Sequence, residues 1–216
     1  STPKPSSAAS DVYKRQVNNL SFTVEEGQIY GFLGPNGAGK STTMNIITGY
    51  LASTEGEVLI NGHNILEEPE EAKKCIGYLP ELPPVYTDMT VLEYLKFVAE
   101  LKKIPKDQRK KQILEVMNLV KITDMQNRLI KNLSKGYRQR VGLAQAVLGY
   151  PPIIILDEPT NHLDIQSKGI LEDAIRSYTG TVFVVSHDRY FINRIATRIL
   201  ELKDKQLYSC LLYTSP

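Results

Sequence analysis

Gly34-Pro35-Asn36-Gly37-Ala38-Gly39-Lys40-Ser41 sets glycines, a lysine and a hydroxyl residue in the spacing Gly-x-x-x-x-Gly-Lys-Ser. That spacing answers one chemical need, a cradle for polyphosphate. The glycines let successive backbone N–H groups turn inward around phosphate oxygens, and a helix opening near Lys40 adds the positive end of its dipole. Lys40 brings a mobile charge for β- and γ-phosphates, and Ser41 a hydroxyl for Mg2+. Thr42 is placed with the same phosphate-binding set. A second run, Ile153-Ile154-Ile155-Leu156-Asp157-Glu158, ends an apolar stretch in two carboxylates. Burial of the apolar residues fixes a strand, so Asp157 emerges at its C-terminal edge, where α/β sheets bind ligands. Asp157 is the candidate to hold Mg2+, directly or through water, and Glu158 the candidate to orient or deprotonate an attacking water. Taken alone, the first run is a glycine turn with a chance Lys-Ser, and the second a strand end with two solvated acids. Taken together, they point to phosphoryl transfer, with the acids on a neighbouring strand facing the loop.

The elements that must carry these residues are legible in the pattern. Leu20, Phe22 and Val24 alternate with polar residues, as in a half-buried strand. Gln28 to Leu33 is a short apolar strand feeding the glycine-rich loop, and residues 41–48 form a helix stopped at Gly49. Glu57 to Ile60 with Asn61-Gly62 reads as a strand and hairpin turn. From about 88 to 150 the texture is helical. Thr90 and Glu93 make a capping box, with Val91, Leu92, Leu95, Val98 and Leu101 at helical spacing after it. A second helix carries Ile113, Leu114, Val116, Met117 and Val120. The runs at 153–156 and 181–185 are continuously apolar, the mark of parallel strands covered on both faces. The fold class is α/β: a mostly parallel core sheet flanked by helices, an N-terminal antiparallel β part and an inserted helical subdomain.

The whole chain has 216 residues, 42% hydrophobic and 23% charged, with a formal net charge of +2. Nothing global in that balance points to nucleic acid, an acidic partner or an anionic membrane, and no nucleic-acid partner is expected. The two cysteines, Cys75 and Cys210, are too few for a disulfide framework and fit a reducing cytosol. Cys75 reads as a small hydrophobe. No apolar run approaches the ~20 residues of a membrane span, and the N-terminus lacks a signal-peptide core. The chain therefore reads as soluble, and any span must come from another polypeptide. Residues 1–16 and 209–216 lack periodicity and look like translated library adapter or disordered tails, leaving 17–208 as the domain.

With both motifs in place, Val17 to Tyr208 resembles the ATP-binding domains of the ABC superfamily, whose fold is that of the P-loop NTPases. The resemblance implies ATP and Mg2+ as cofactors and ATP hydrolysis as the activity. Leu133-Ser134-Lys135-Gly136-Tyr137 stands where the family carries Leu-Ser-Gly-Gly-Gln. Ser134 and Gly136 are kept, and the family implies that they cap the γ-phosphate held by a second subunit, in a homodimer or heterodimer of such domains. Physical logic agrees, since Ser134 and the first turn of the following helix form an anion site. His187, in Val185-Ser186-His187-Asp188, matches the family's switch histidine, which contacts the γ-phosphate and positions water. Glu81, in Gly77-Tyr78-Leu79-Pro80-Glu81, replaces the usual glutamine and is implied as a Mg2+ ligand, with an added negative charge. Asn161-His162-Leu163-Asp164 matches the D-loop, Asp164 being expected across the dimer interface and His162 not being a ligand. Tyr13 lies near the place of the family's adenine-stacking aromatic but out of register.

Residues 17–152 look like the ATPase subunit of an exporter, whereas 160–208 resemble the soluble ABC-F proteins that act on ribosomes. The two textures meet at 156–160, and the join has the form of an assembly chimera. One phosphate loop, one signature and no charged linker favour a transporter subunit, peripheral at the cytoplasmic face of the membrane and driving a separate integral-membrane permease. The permease would meet the surface near Glu81 to Tyr86. The alternatives are an ABC-F-type ATPase on the ribosome and a truncated chimera without function.

Overall fold

The computed structural model describes residues 17, 20–161, 163–203 and 206–211. Expectations for the two tails, apart from residues 209–211, and for Tyr13 and His162 lie outside the described residues. In chain order the elements begin with β1 (Ile29–Leu33), the helix α1 (Lys40–Ile47), the hairpin strands β2 (Leu59–Ile60) and β3 (His63–Asn64), and α2 (Pro69–Lys74). Strand β4 (Ile76–Leu79) then leads into the helical insert, α3 (Val91–Leu101), α4 (Lys106–Leu119) and α5 (Lys135–Val147). The chain returns to the sheet through β5 (Ile153–Asp157), α6 (Ile165–Arg176), β6 (Thr181–Val185), α7 (Arg189–Ile195), β7 (Arg198–Lys203) and β8 (Gln206–Leu211).

Six strands form one sheet in the order β4-β5-β6-β1-β7-β8. All its pairings are parallel except β7 with β8. The backbone ladder of β8 reaches Leu211, opposite Arg198, so pairing with β7 orders three residues expected to belong to a tail. Strand β6, Thr-Val-Phe-Val-Val, is buried along its whole length, which is why its sequence shows no alternation. The acidic strand β5 is not the immediate neighbour of β1, because β6 lies between them. Register nevertheless brings the ends level: Val185 pairs with Phe32 on one side and Asp157 on the other. Hydrogen bonding through a single central strand thus sets the phosphate loop, the acids and the segment after Val185 along one edge.

Residues 20–24 keep the alternation, half-buried at Leu20, Phe22 and Val24, yet join neither sheet. Packing holds them instead. The Phe22 ring stacks on Phe183 at 5.9 Å and 11°, and Phe32 tilts against Phe183 at 5.6 Å. The hairpin forms as expected, since Asn61 and Gly62 both take the positive φ (51° and 85°) that a tight two-residue turn needs.

Helix α3 starts with both halves of the capping box: the Glu93 amide donates to Thr90 Oγ1 at 3.3 Å, and the Thr90 amide to Glu93 Oε2 at 2.8 Å. It buries Val91, Tyr94, Leu95, Val98 and Ala99. Leu101 is 64% exposed, because the helix ends there. Just beyond, Lys102 Nζ donates to the carbonyls of Gln145 (2.7 Å), Ala146 (3.2 Å) and Leu148 (2.6 Å). A cation here answers the unpaired carbonyls and negative dipole end of α5. Lys102→Met should therefore lower stability by about 2 kcal/mol, from acceptors left unpaired, read as a lower midpoint in urea.

Candidate active site

The phosphate loop departs from β1 and closes on α1. Gly39 sits at the helix start with φ 104°, ψ 8°, a left-handed backbone that a side chain would strain, and Gly37 has φ 80°. The Ala38 amide donates to the Pro35 carbonyl at 3.2 Å and tightens the turn. Gly34 has its own constraint: a Cβ there would meet the Leu202 carbonyl at 2.7 Å. Lys40 is only 8% exposed. Its ammonium curls back into the loop, donating to the carbonyls of Gly34 at 2.6 Å and Pro35 at 3.1 Å. Pro35, Asn36 and Ser41 lie at the surface, Ala38 and Thr42 half-buried. Beside the loop opens a cleft of about 350 Å3, bordered by Gly34, Pro35, His187, Arg189 and Lys203.

Across β6, the acids stand where register places them. Glu158 has φ 44°, a backbone state that costs a non-glycine residue on the order of 1–3 kcal/mol. Its amide donates to the Val185 carbonyl at 2.8 Å, and its own carbonyl accepts from the Asn161 amide at 3.2 Å. The carboxylate is 14% exposed and faces His187: Nδ1 lies 2.9 Å from Glu158 Oε2, which also accepts the His187 backbone N–H at 3.2 Å. The structure thus brings Glu158 and His187, the two candidate catalytic groups, into direct contact. His187 remains 61% exposed toward the cleft.

Burial pushes the Asp157 carboxyl up to about 6 from the usual 3.8, and the charges of Glu158 and Glu81 add to that, against Lys40. The sign follows from linkage. Between those values the folded chain holds this proton more tightly than the unfolded one, so the contribution to stability is lost as pH rises through about 4 to 6. At neutral pH the ionised acid works against the fold and attracts a cation. Among the described residues, no three His, Cys, Asp or Glu side chains form a metal site by themselves. Mg2+ is usually held by one or two carboxylates together with phosphate oxygens and water. Of the three candidate ligands, Asp157 and Glu81 are close enough for their charges to interact, and Ser41 lies at the surface on the first turn of α1.

Glu81 Oε1 accepts a hydrogen bond from Asn161 Nδ2 at 2.8 Å, joining the loop after β4 to the loop after β5. Spacing offers no sign of this contact, because the partners are 80 positions apart. Ser134 and Gly136 stand at the start of α5, beside the start of α6. Ser134 is exposed and caps α5, its hydroxyl accepting from the Tyr137 amide at 3.4 Å. Gly136 is pressed against the start of α6, where a Cβ would meet Ser167 Oγ at 2.6 Å. Asp164 caps α6 through the Ser167 amide at 2.7 Å, and Arg140 Nη2 donates to Ser167 Oγ at 3.0 Å.

The family whose members are described as ABC transporter matches residues 17–161, more than half of the chain. The uncharacterized ABC transporter ATP-binding protein YhcH of Bacillus subtilis is 40% identical over 173 residues, 79% of this chain and 56% of its own length. The bacitracin transport ATP-binding protein BcrA of Bacillus licheniformis is 36% identical over 178 residues, 81% of this chain and 57% of its own. The chain spans little more than half the length of these two relatives. A solved dimer, the ATP-binding cassette MJ0796 in a post-hydrolysis state with ADP and Pi, superposes with a TM-score of 0.79 at 29% identity, over 93% of this chain and 92% of that one. With a phosphate loop, a strand-end acid pair and a histidine on one sheet edge, and with these likenesses, the chain belongs to the ABC transporter family as an ATP-binding and ATP-hydrolysing cassette.

Proposed function

We propose that this cassette is the motor part of a transporter, in which two cassettes sandwich two ATP molecules and drive a membrane-spanning permease. The observation that carries the reading is the level register of Phe32, Val185 and Asp157, which sets Lys40, Asp157, Glu158 and His187 along one edge. Lys40 and the loop amides bind the phosphates. Ser41, Asp157 and Glu81 would hold Mg2+, which supplies charge neutralisation on the β- and γ-phosphates. Glu158 accepts a proton from the attacking water, and His187, bonded to the same carboxylate, keeps it aimed.

Dimerisation gives Ser134 and Gly136 a role: an exposed, Ser-capped N-terminus on a 13-residue helix suits the γ-phosphate bound by a second copy. A permease contact is supported by exposed Leu82 and Tyr86 (72% and 56%) in the stretch after β4. No helix among the described residues is long and apolar enough to cross a membrane, so the span is assigned to another segment or chain. The name of BcrA, a bacitracin transport ATP-binding protein, supports a transport role. Sizing of the Glu158→Gln variant tests the sandwich: a shift to twice the mass with ATP and Mg2+, absent with ADP, is expected. A species that binds ATP yet stays monomeric at high concentration overturns it.

A further inference from the structure

Helix α6 and the loop that carries His187 are joined by one ion pair that no motif contains. Lys168 Nζ lies 2.8 Å from Asp188 Oδ2, with the two side chains 35% and 22% exposed. Asp188 is fully engaged. Its Oδ1 caps α7 by accepting from the Phe191 amide at 3.0 Å, and its own amide donates to Ser186 Oγ at 3.1 Å. Ser186 is completely buried. The loop of residues 186–188 is therefore held at the buried Ser186, whose amide donates to the Phe32 carbonyl, at Glu158 through the His187 amide, at the first turn of α7, and at Lys168. Only the last tie comes from a helix outside its own segment.

We infer that Lys168 is a positioning residue for hydrolysis, holding Asp188 so that the adjacent His187 keeps its contact with Glu158. The same helix also packs against the start of α5. Asp164 and Ser167 at its start bond each other, Ser167 accepts from Arg140, and Gly136 packs against both. Lys168 sits one residue beyond Ser167. A shift of α6 driven from Ser134 and Gly136 therefore reaches the residue beside His187 directly through this ion pair, while the other polar ties of α6, Glu172 and Arg176 to Arg194, go to the far end of α7. In a sandwich, the first pair of residues serves one ATP and His187 the other. The inference rests on the proposed roles of Glu158 and His187.

The experiment is steady-state ATP hydrolysis and equilibrium ATP binding by Lys168→Met, Lys168→Arg and Asp188→Asn in the full chain, with His187→Ala as reference. Asp188→Asn keeps an oxygen for the α7 cap while removing the charge partner. The expected result is a fall in kcat of about tenfold in Lys168→Met, since displacing catalytic groups by about 1 Å can cost about a hundredfold. KM and ATP affinity should stay within about twofold, because the phosphate loop is untouched. Lys168→Arg should recover most of the loss. Combining Lys168→Met with Asp188→Asn should cost no more than the worse single change, as expected for one shared interaction. Unchanged kcat in Lys168→Met while His187→Ala is impaired overturns the inference and leaves the His187 assignment standing. Full turnover by His187→Ala overturns the underlying reading itself. A loss that Lys168→Arg fails to recover, or one that tracks thermal stability across the set, also overturns it.

Discussion

Glu158→Gln should bind ATP as tightly as the parent and hydrolyse it at least about a hundredfold more slowly, the loss expected when a positioned general base goes. The substitution keeps size, the hydrogen bond from the His187 amide, and the backbone bond to Val185. It removes only the charge and basicity of a carboxylate that is 14% exposed and 2.9 Å from His187 Nδ1. Removing that charge also relieves Asp157, whose carboxyl Glu158 helps to push upward. The variant should therefore be no less stable than the parent, and unfolding in urea beside single-turnover hydrolysis separates chemistry from folding. Turnover equal to the parent's would show that Glu158 is not the base.

Lys40→Ala should act on the opposite step. Charge-assisted hydrogen bonds contribute about 1.5–3 kcal/mol each, so losing the ammonium should weaken ATP binding about tenfold to a hundredfold. ADP should suffer less, because the γ-phosphate contact is absent from it. The chain itself gives up little. Lys40 bonds the carbonyls of Gly34 and Pro35, both near the surface, where water can take its place. Titration of a fluorescent ATP analogue checks this, and undiminished affinity would refute the assignment. Lys40→Arg should not restore binding, since a planar guanidinium does not fit a pocket built round a compact ammonium that is 8% exposed.

The local elements were legible because local chemistry writes them. The hairpin at Asn61-Gly62, the capping box at Thr90 and Glu93, and the burial of 153–156 and 181–185 follow from turn preference, side-chain capping and apolar runs. The phosphate loop was legible because few residue types tolerate its backbone. Strand order was not: β6 comes late in the chain yet inserts between β1 and β5, and no periodicity encodes that. The alternation at 20–24 correctly marks a half-buried segment, but alternation reports burial and not pairing. Contacts such as Asn161 with Glu81, Lys168 with Asp188, and Lys102 with the end of α5 are long-range and polar. They become visible only once the sheet has brought the loops together. The left-handed backbone of Glu158 was equally hidden, since glutamate has no preference for it.

That backbone has a consequence for how activity arises during synthesis. The amide of Glu158 is satisfied by the carbonyl of Val185, a residue 27 positions later in the chain. An emerging polypeptide that ends before β6 lacks the partner of the Glu158 amide and also both strands, β6 and β7, against which β1 and the phosphate loop are held. Under the proposed roles, such a chain has neither a seated loop nor an aimed base, so idle consumption of ATP is withheld until the central strand has docked.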